Sequence, residues 1–195
     1  MGDPRKQRKK YSGPQHPWNR KRIGEERVLV EDYGLKNKKD LWKVTSKLTH
    51  FKKQAKALIV RRGEQAESEK RLFLEKLHRL NLVGATATID DVLGLAVRDI
   101  LERRLQTLVM RKGLAQSAKQ ARQFIVHGHI SVNGQTMTVP SYLVPIAFGD
   151  AITFSTRSDL SDPEHPVRQV KKEPAPVVVE QKSQETENVT EVVAE

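Results

Sequence analysis

One change of period constrains this chain more than any other feature. Between Ser117 and His127 the apolar residues Ala121, Phe124 and Ile125 recur at helical spacing. Past Gly128 the pattern alternates, with Ile130 and Val132 on one side and Ser131 and Asn133 on the other. Ser117-Ala118-Lys119-Gln120 reads as a capping box that opens the helix, and Gly128 stops it. Asn133-Gly134 is a strong hairpin signal, because a type I′ turn needs positive φ at both central residues. The return strand is expected at 135–139 and a last strand at 151–154. A helix that runs straight into a hairpin buries its apolar face on the sheet it leads to.

The upstream residues read as helices. Asp40 can cap a helix to about Arg62, whose apolar stripe is Leu41, Val44, Leu48, Phe51, Ala55, Leu58 and Ile59. Lys43, Lys47, Lys52, Lys53 and Lys56 fall largely off that stripe. Gly63 breaks it, and a second helix from about Gln65 to Gly84 offers Leu72, Leu74, Leu77 and Leu80. Such a hairpin needs a third surface to cover it. Thr88-Ile89-Asp90-Asp91 is a capping box for a short helix with Val92, Leu93 and Leu95. Another helix is expected from Arg98 to Gly113 with Leu101, Leu105 and Leu108 on one face. The fold class is therefore α+β: a basic N-terminal extension at 1–39, a helical domain at 40–101, a module of two helices on a small antiparallel sheet at 102–166, and a disordered acidic tail at 167–195.

Charge separates these parts. Of the net +11, residues 1–62 carry +13, residues 63–172 carry +3 and residues 173–195 carry −5. So positive a short chain points to a polyanion, and nucleic acid is the commonest. An anionic membrane surface is the rival partner. No apolar run reaches the roughly 18 residues of a membrane span, and no apolar segment follows the basic N-terminus as in a secretory signal. The chain has no cysteine, which excludes disulfides, thiolate zinc sites and cysteine nucleophiles. An intracellular, cytoplasmic protein is expected.

The candidate nucleic-acid ligands fall in two groups. In the arm they are Arg5, Lys6, Arg8, Lys9, Lys10, Arg20, Lys21 and Arg22, with Tyr11, His16 and Trp18 among them as rings that stack on bases. In the module they are Arg103, Arg104, Arg111, Lys112, Ser117, Lys119, Gln120, Arg122, Gln123, His127, His129, Ser131 and Asn133. The helix opened by Ser117 presents free N–H groups and a positive dipole end to phosphate. Each has a plainer role as well: Ser117 as a cap, Asn133 as a turn residue, Arg103 and Arg104 as partners of Glu102 or Asp99. His127-Gly128-His129 lacks a third ligand for a metal, and no nucleophile elbow, Walker loop or dinucleotide fingerprint is present. No cofactor, metal or small-molecule substrate is expected.

The stretch ERRLQTLVMRKGLAQSAKQARQFIVHGHISVNGQTMTVP, residues 102–140, resembles the S-four RNA-binding module. It matches at Arg104, Leu105, Gly113, Leu114, Ser117, Ala121, Arg122, Ile125, Gly128, Ile130, Val132, Asn133 and Gly134, and Pro140-Ser141 also fits. Many such modules carry a basic residue after the helix-opening Ser. Here that residue is Ala118, with Lys119 next to it. The module also occurs in pseudouridine synthases, tyrosyl-tRNA synthetases and small RNA binders of stress responses. The helical hairpin and basic arm before it resemble the archaeal and eukaryotic branch of the ribosomal protein S-four family, over about residues 3–170.

That resemblance implies a structural, non-enzymatic protein of the small ribosomal subunit. Such a protein binds small-subunit ribosomal RNA early in assembly, influences decoding accuracy and has S-five among its neighbours. Bacterial relatives that bind zinc do so through cysteines this chain lacks. The rivals fit less well. A pseudouridine synthase needs a large catalytic domain, and a ribosome-rescue factor does not explain the long arm and hairpin.

Overall fold

The computed structural model describes residues 9–162 and residue 165. Arg5, Lys6, Arg8 and the acidic tail lie outside the described residues.

Part of the basic arm is helical. Residues Arg20–Asp32 form a helix, α1. Asn19 caps it, its side chain accepting from the Arg22 N–H at 3.2 Å. Leu29 and Val30 reach the hydrophobic core, and Tyr33 and Leu35 are buried in it. The apolar face is short and sits only at the C-terminal end of the helix, so its period is faint in the sequence.

Helix α2, Lys38–Val60, starts earlier than expected because Asn37 caps it, accepting from the Asp40 N–H at 3.1 Å. Its stripe from Leu41 to Leu58 is buried as the spacing requires. Gly63 turns the chain at φ 113°, and α3 spans Glu64–Arg79. That helix ends before Gly84, because Asn81 takes the left-handed conformation at φ 54°. Phe73 and Leu77 form its inner face, whereas Leu72 is 66% exposed and is not core. Helices α4, Ile89–Gly94, and α5, Val97–Glu102, close the hairpin as its third surface. Thr88 and Asp91 form the expected capping box, with the Thr88 N–H donating to the carboxylate at 2.7 Å.

The expected helix from Arg98 to Gly113 is broken in two. Arg104 is extended, at φ −72° and ψ 142°, and α6 resumes at Leu105–Arg111. The break is held by an antiparallel bridge between Arg104 and Leu143. The Leu105 N–H donates to the Tyr142 carbonyl at 2.8 Å, and the Val144 N–H to the Arg103 carbonyl at 3.1 Å. The same break divides the hydrophobic residues. The buried ones up to Leu101 form the helical core and the buried ones from Leu105 onward the core of the module, while half-buried Leu143 reaches back to the helical core.

Helix α7, Ala118–Val126, packs on α6 and on a sheet ordered β2-β1-β3. Strands β1 (Ile130–Val132), β2 (Gln135–Thr136) and β3 (Ile152–Phe154) are antiparallel throughout. Asn133 and Gly134 have φ of 51° and 76°, as the hairpin requires. Strand β2 ends at Thr136, before the expected Val139. Among the described residues no helix is long and apolar enough to cross a membrane.

Candidate nucleic-acid interface

The surface begins with how α7 is opened. The Ser117 hydroxyl accepts from the Gln120 N–H at 3.2 Å, and the Gln120 side chain reaches back to the Gln116 N–H at 2.7 Å. Gln120 therefore closes the box one residue earlier than its usual partner. Lys119, Gln123 and His127 lie exposed along the helix, and Asn133 is exposed on the hairpin turn. These side chains are open to solvent, and the His127 ring stacks on that of His129 with centroids 6.3 Å apart.

The first residue of α7 explains the departure at Ala118. The turn at Gly34, φ +54°, lies against it so closely that a Cβ on Gly34 would be 2.6 Å from the Ala118 Cβ. A small residue at 118 suits so close an approach. Buried Gln106 fastens the same contact. Its Nε2 donates to the carbonyls of Tyr33 at 3.3 Å, Gly34 at 2.9 Å and Ala118 at 2.8 Å. Its Oε1 accepts from Arg122 at 3.3 Å. The helical domain is thereby locked to the helix on which the candidate RNA ligands sit.

Several residues expected at the surface are taken up internally. Arg104 is only 2% exposed, because its extended backbone pairs with Leu143 and points the side chain inward. Burial lowers its pKa most, with Asp40 opposing and Arg122 adding to the shift; an Arg remains charged regardless. Arg103 donates to the carbonyls of Leu80 at 3.2 Å and Val144 at 2.9 Å, joining the two cores. Ser131 is buried and hydrogen-bonds Thr153 across β1 and β3 at 3.1 Å. His129 Nδ1 lies 2.7 Å from the Ser158 hydroxyl. Arg22 pairs with Glu26 and donates to the carbonyls of His16 and Pro17, so it fastens the 16–17 loop to α1. These five side chains are held inside the fold and are not displayed on the outer face of α7.

Three others are shared. Arg111 remains exposed but is paired with Glu102 at 3.0 Å. Burial pushes the Glu102 carboxyl up, but hydrogen bonds from Arg111 and Tyr33 outweigh it and hold the pKa below its ordinary value. Lys112 is 3.6 Å from Asp150. Arg122 is half-buried and lies 3.6 Å from Asp40.

In the arm, Lys9, Lys10, Arg20 and Lys21 are exposed. Lys9 lies 4.7 Å above the Tyr11 ring, and Tyr11 stacks on Trp42 at 6.2 Å. Trp18 is 91% exposed, an unpacked ring among cations. A groove of about 750 Å³ runs between this segment and α2, with Lys10, His50 and Lys53 on its walls. Lys43 and Lys47 add a second basic row near Arg122. The i, i+4 spacing of those lysines was visible in sequence, but nothing marked them off from an ordinary solvated helix face. Among the described residues no group of three or more His, Asp or Glu side chains is placed to hold a metal.

Comparison with known proteins places this geometry in a family. Residues 103–152 match the S4 domain, the segment from just before the Arg104–Leu143 bridge to the first residue of β3. The chain is 50% identical over 171 residues to "Small ribosomal subunit protein uS4" of Picrophilus torridus, covering 86% of this chain and 93% of that protein. It is 51% identical over 169 residues to the protein of the same name in Methanococcus aeolicus, covering 86% and 96%. With the Thermoplasma volcanium protein it shares 45% over 188 residues, covering 95% and 94%. Identity of that order spans helical domain and module together, so the chain belongs to the uS4 family of small ribosomal subunit proteins.

Proposed function

We propose that the chain is a structural constituent of the small ribosomal subunit that binds its ribosomal RNA directly and has no catalytic activity. The observation that carries this reading is the overlap of two things: the S4 domain match at 103–152 and an exposed cationic and amide face on α7 within that match. Lys119, Gln123 and His127 supply charge, amide and ring on that face, the mixture that grips backbone and 2′-hydroxyls while following RNA shape. Lys9, Lys10, Arg20, Lys21 and Trp18 extend it with sequence-independent affinity.

Within that reading, the protein acts early in assembly of the subunit body, contributes to translational accuracy, neighbours S-five and works in cytoplasmic ribosomes. The test is binding of full-length protein to small-subunit ribosomal RNA and to a scrambled RNA of equal length, over a range of salt. Affinity should fall steeply with salt for both RNAs, while the preference for the ribosomal RNA persists. Equal affinity for both at every salt concentration would defeat the reading.

A further inference from the structure

The region where α2, Arg104 and the 141–143 segment meet encloses a cleft of about 180 Å³. Lys43, Lys47 and Arg104 line it, with Asp40 as the carboxylate among the lining residues. Asp40 is already shared, 4.0 Å from Lys43 and 3.6 Å from Arg122. Positive charge is therefore in excess, and Ile100 and Leu143 on the wall keep its surroundings poorly screened.

Arg104 is the informative residue. It is 98% buried, its Nε has no hydrogen-bond partner, and among the described residues no carboxylate reaches ion-pair distance of it. Asp40 favours its charge from a longer distance but leaves Nε without a hydrogen bond, so the buried guanidinium is only partly compensated. Its planar donors fit the oxygens of a phosphate. Ser141 also lines the cleft. At roughly 30 Å³ per water in the liquid, the space takes a phosphate group together with some of its water.

We propose that this cleft is a specific seat for one phosphodiester of the RNA backbone, held by Arg104 from below and by Lys43 and Lys47 from the α2 side. The proposal rests on the RNA-binding reading above and adds a site to it. The seated phosphate supplies the partner Arg104 lacks, and it fixes the RNA where helical domain and module join. Arg122, 3.6 Å from Asp40, brings α7 up to the edge of the cleft.

The experiment uses full-length protein, with Lys47→Gln, Lys43→Gln/Lys47→Gln, Arg104→Lys and Asp40→Asn variants, each checked for folding by circular dichroism. Two probes are used, small-subunit ribosomal RNA and inorganic phosphate. The double lysine variant should bind the RNA roughly tenfold or more weakly, as loss of a charge-assisted contact implies. It should also lose about 0.7–0.9 from the slope of log affinity against log salt, the value for one phosphate. Asp40→Asn should move the opposite way and tighten binding, which a merely structural role for Asp40 would not do. Arg104→Lys, which keeps the charge but not the fork, should weaken binding if it folds, and the lysine variants decide the matter if it does not. Unchanged slope and affinity in the lysine variants, with wild-type binding intact, overturns the phosphate seat and leaves the RNA-binding reading standing. Melting-temperature protection by inorganic phosphate in wild type but not in the lysine variants, with no change in RNA slope, reassigns the cleft to a free anion and also overturns it. Failure of the wild type to prefer its RNA defeats the underlying reading and the seat together.

Discussion

Gly34→Ala should be among the most damaging single-methyl additions in this protein. Gly34 has φ +54°, where a side chain with a Cβ costs about 1–2 kcal/mol. The new methyl would also lie 2.6 Å from the Ala118 Cβ and 3.2 Å from both the Ala118 carbonyl carbon and Gln106 Nε2. Two of those atoms are backbone or Cβ and cannot swing aside, so overpacking adds about 1–3 kcal/mol. Gly113 separates the two effects: it has φ +74° but no atom within 4 Å of an added Cβ. Gly113→Ala should show the conformational part alone. Urea unfolding followed by circular dichroism gives both values, and Gly34→Ala should exceed Gly113→Ala by about 1–3 kcal/mol. Equal losses would refute the close approach of the Gly34 turn to α7, and with it the explanation of why residue 118 is alanine.

Gln106→Leu should leave the Gly34 and Ala118 carbonyls without a side-chain donor and cost about 1–3 kcal/mol in the same assay. Lys119→Ala should weaken RNA binding by roughly 1–2 kcal/mol in a titration while leaving the urea midpoint unchanged, since Lys119 is exposed. Burial, with a hydrogen bond to Glu102, raises the Tyr33 phenol from 10.0 to about 12. The folded state thus holds that proton more tightly than the unfolded chain. Its stabilisation is complete below pH 10 and is lost as pH rises toward 12; a wild-type stability profile over that window, compared with Tyr33→Phe, should show the extra decline only in wild type. Truncation after Lys172 removes a segment of net charge −5, and filter binding should find RNA affinity unchanged or slightly tighter.

The module was legible because its signals are local. Ser117, Gly128 and Asn133-Gly134 each dictate backbone geometry within a few residues, and the structure places them as their chemistry requires. The break at Arg104 was not legible, because it depends on pairing with Leu143, 39 residues away. An unbroken apolar period across Leu101, Leu105 and Leu108 hides it. Helix α1 leaves little trace in the sequence for a related reason: Leu29 and Val30, at its C-terminal end, reach the core beside buried Tyr33 and Leu35. For the site, residue type identified the cations but not which way they face. Arg103 and Arg22 look like ligands in a list of charges, and only their carbonyl partners distinguish them from Lys119.

Ultraviolet crosslinking of the protein to RNA inside native small ribosomal subunits, with the crosslinked peptides identified by mass spectrometry, tests the central claim most directly. The protein should sediment in full occupancy with small subunits. Crosslinks to their ribosomal RNA should map to α7 around Lys119–His127 and to the Trp18 segment. Substoichiometric sedimentation, or crosslinks confined to proteins with none to ribosomal RNA, would contradict it.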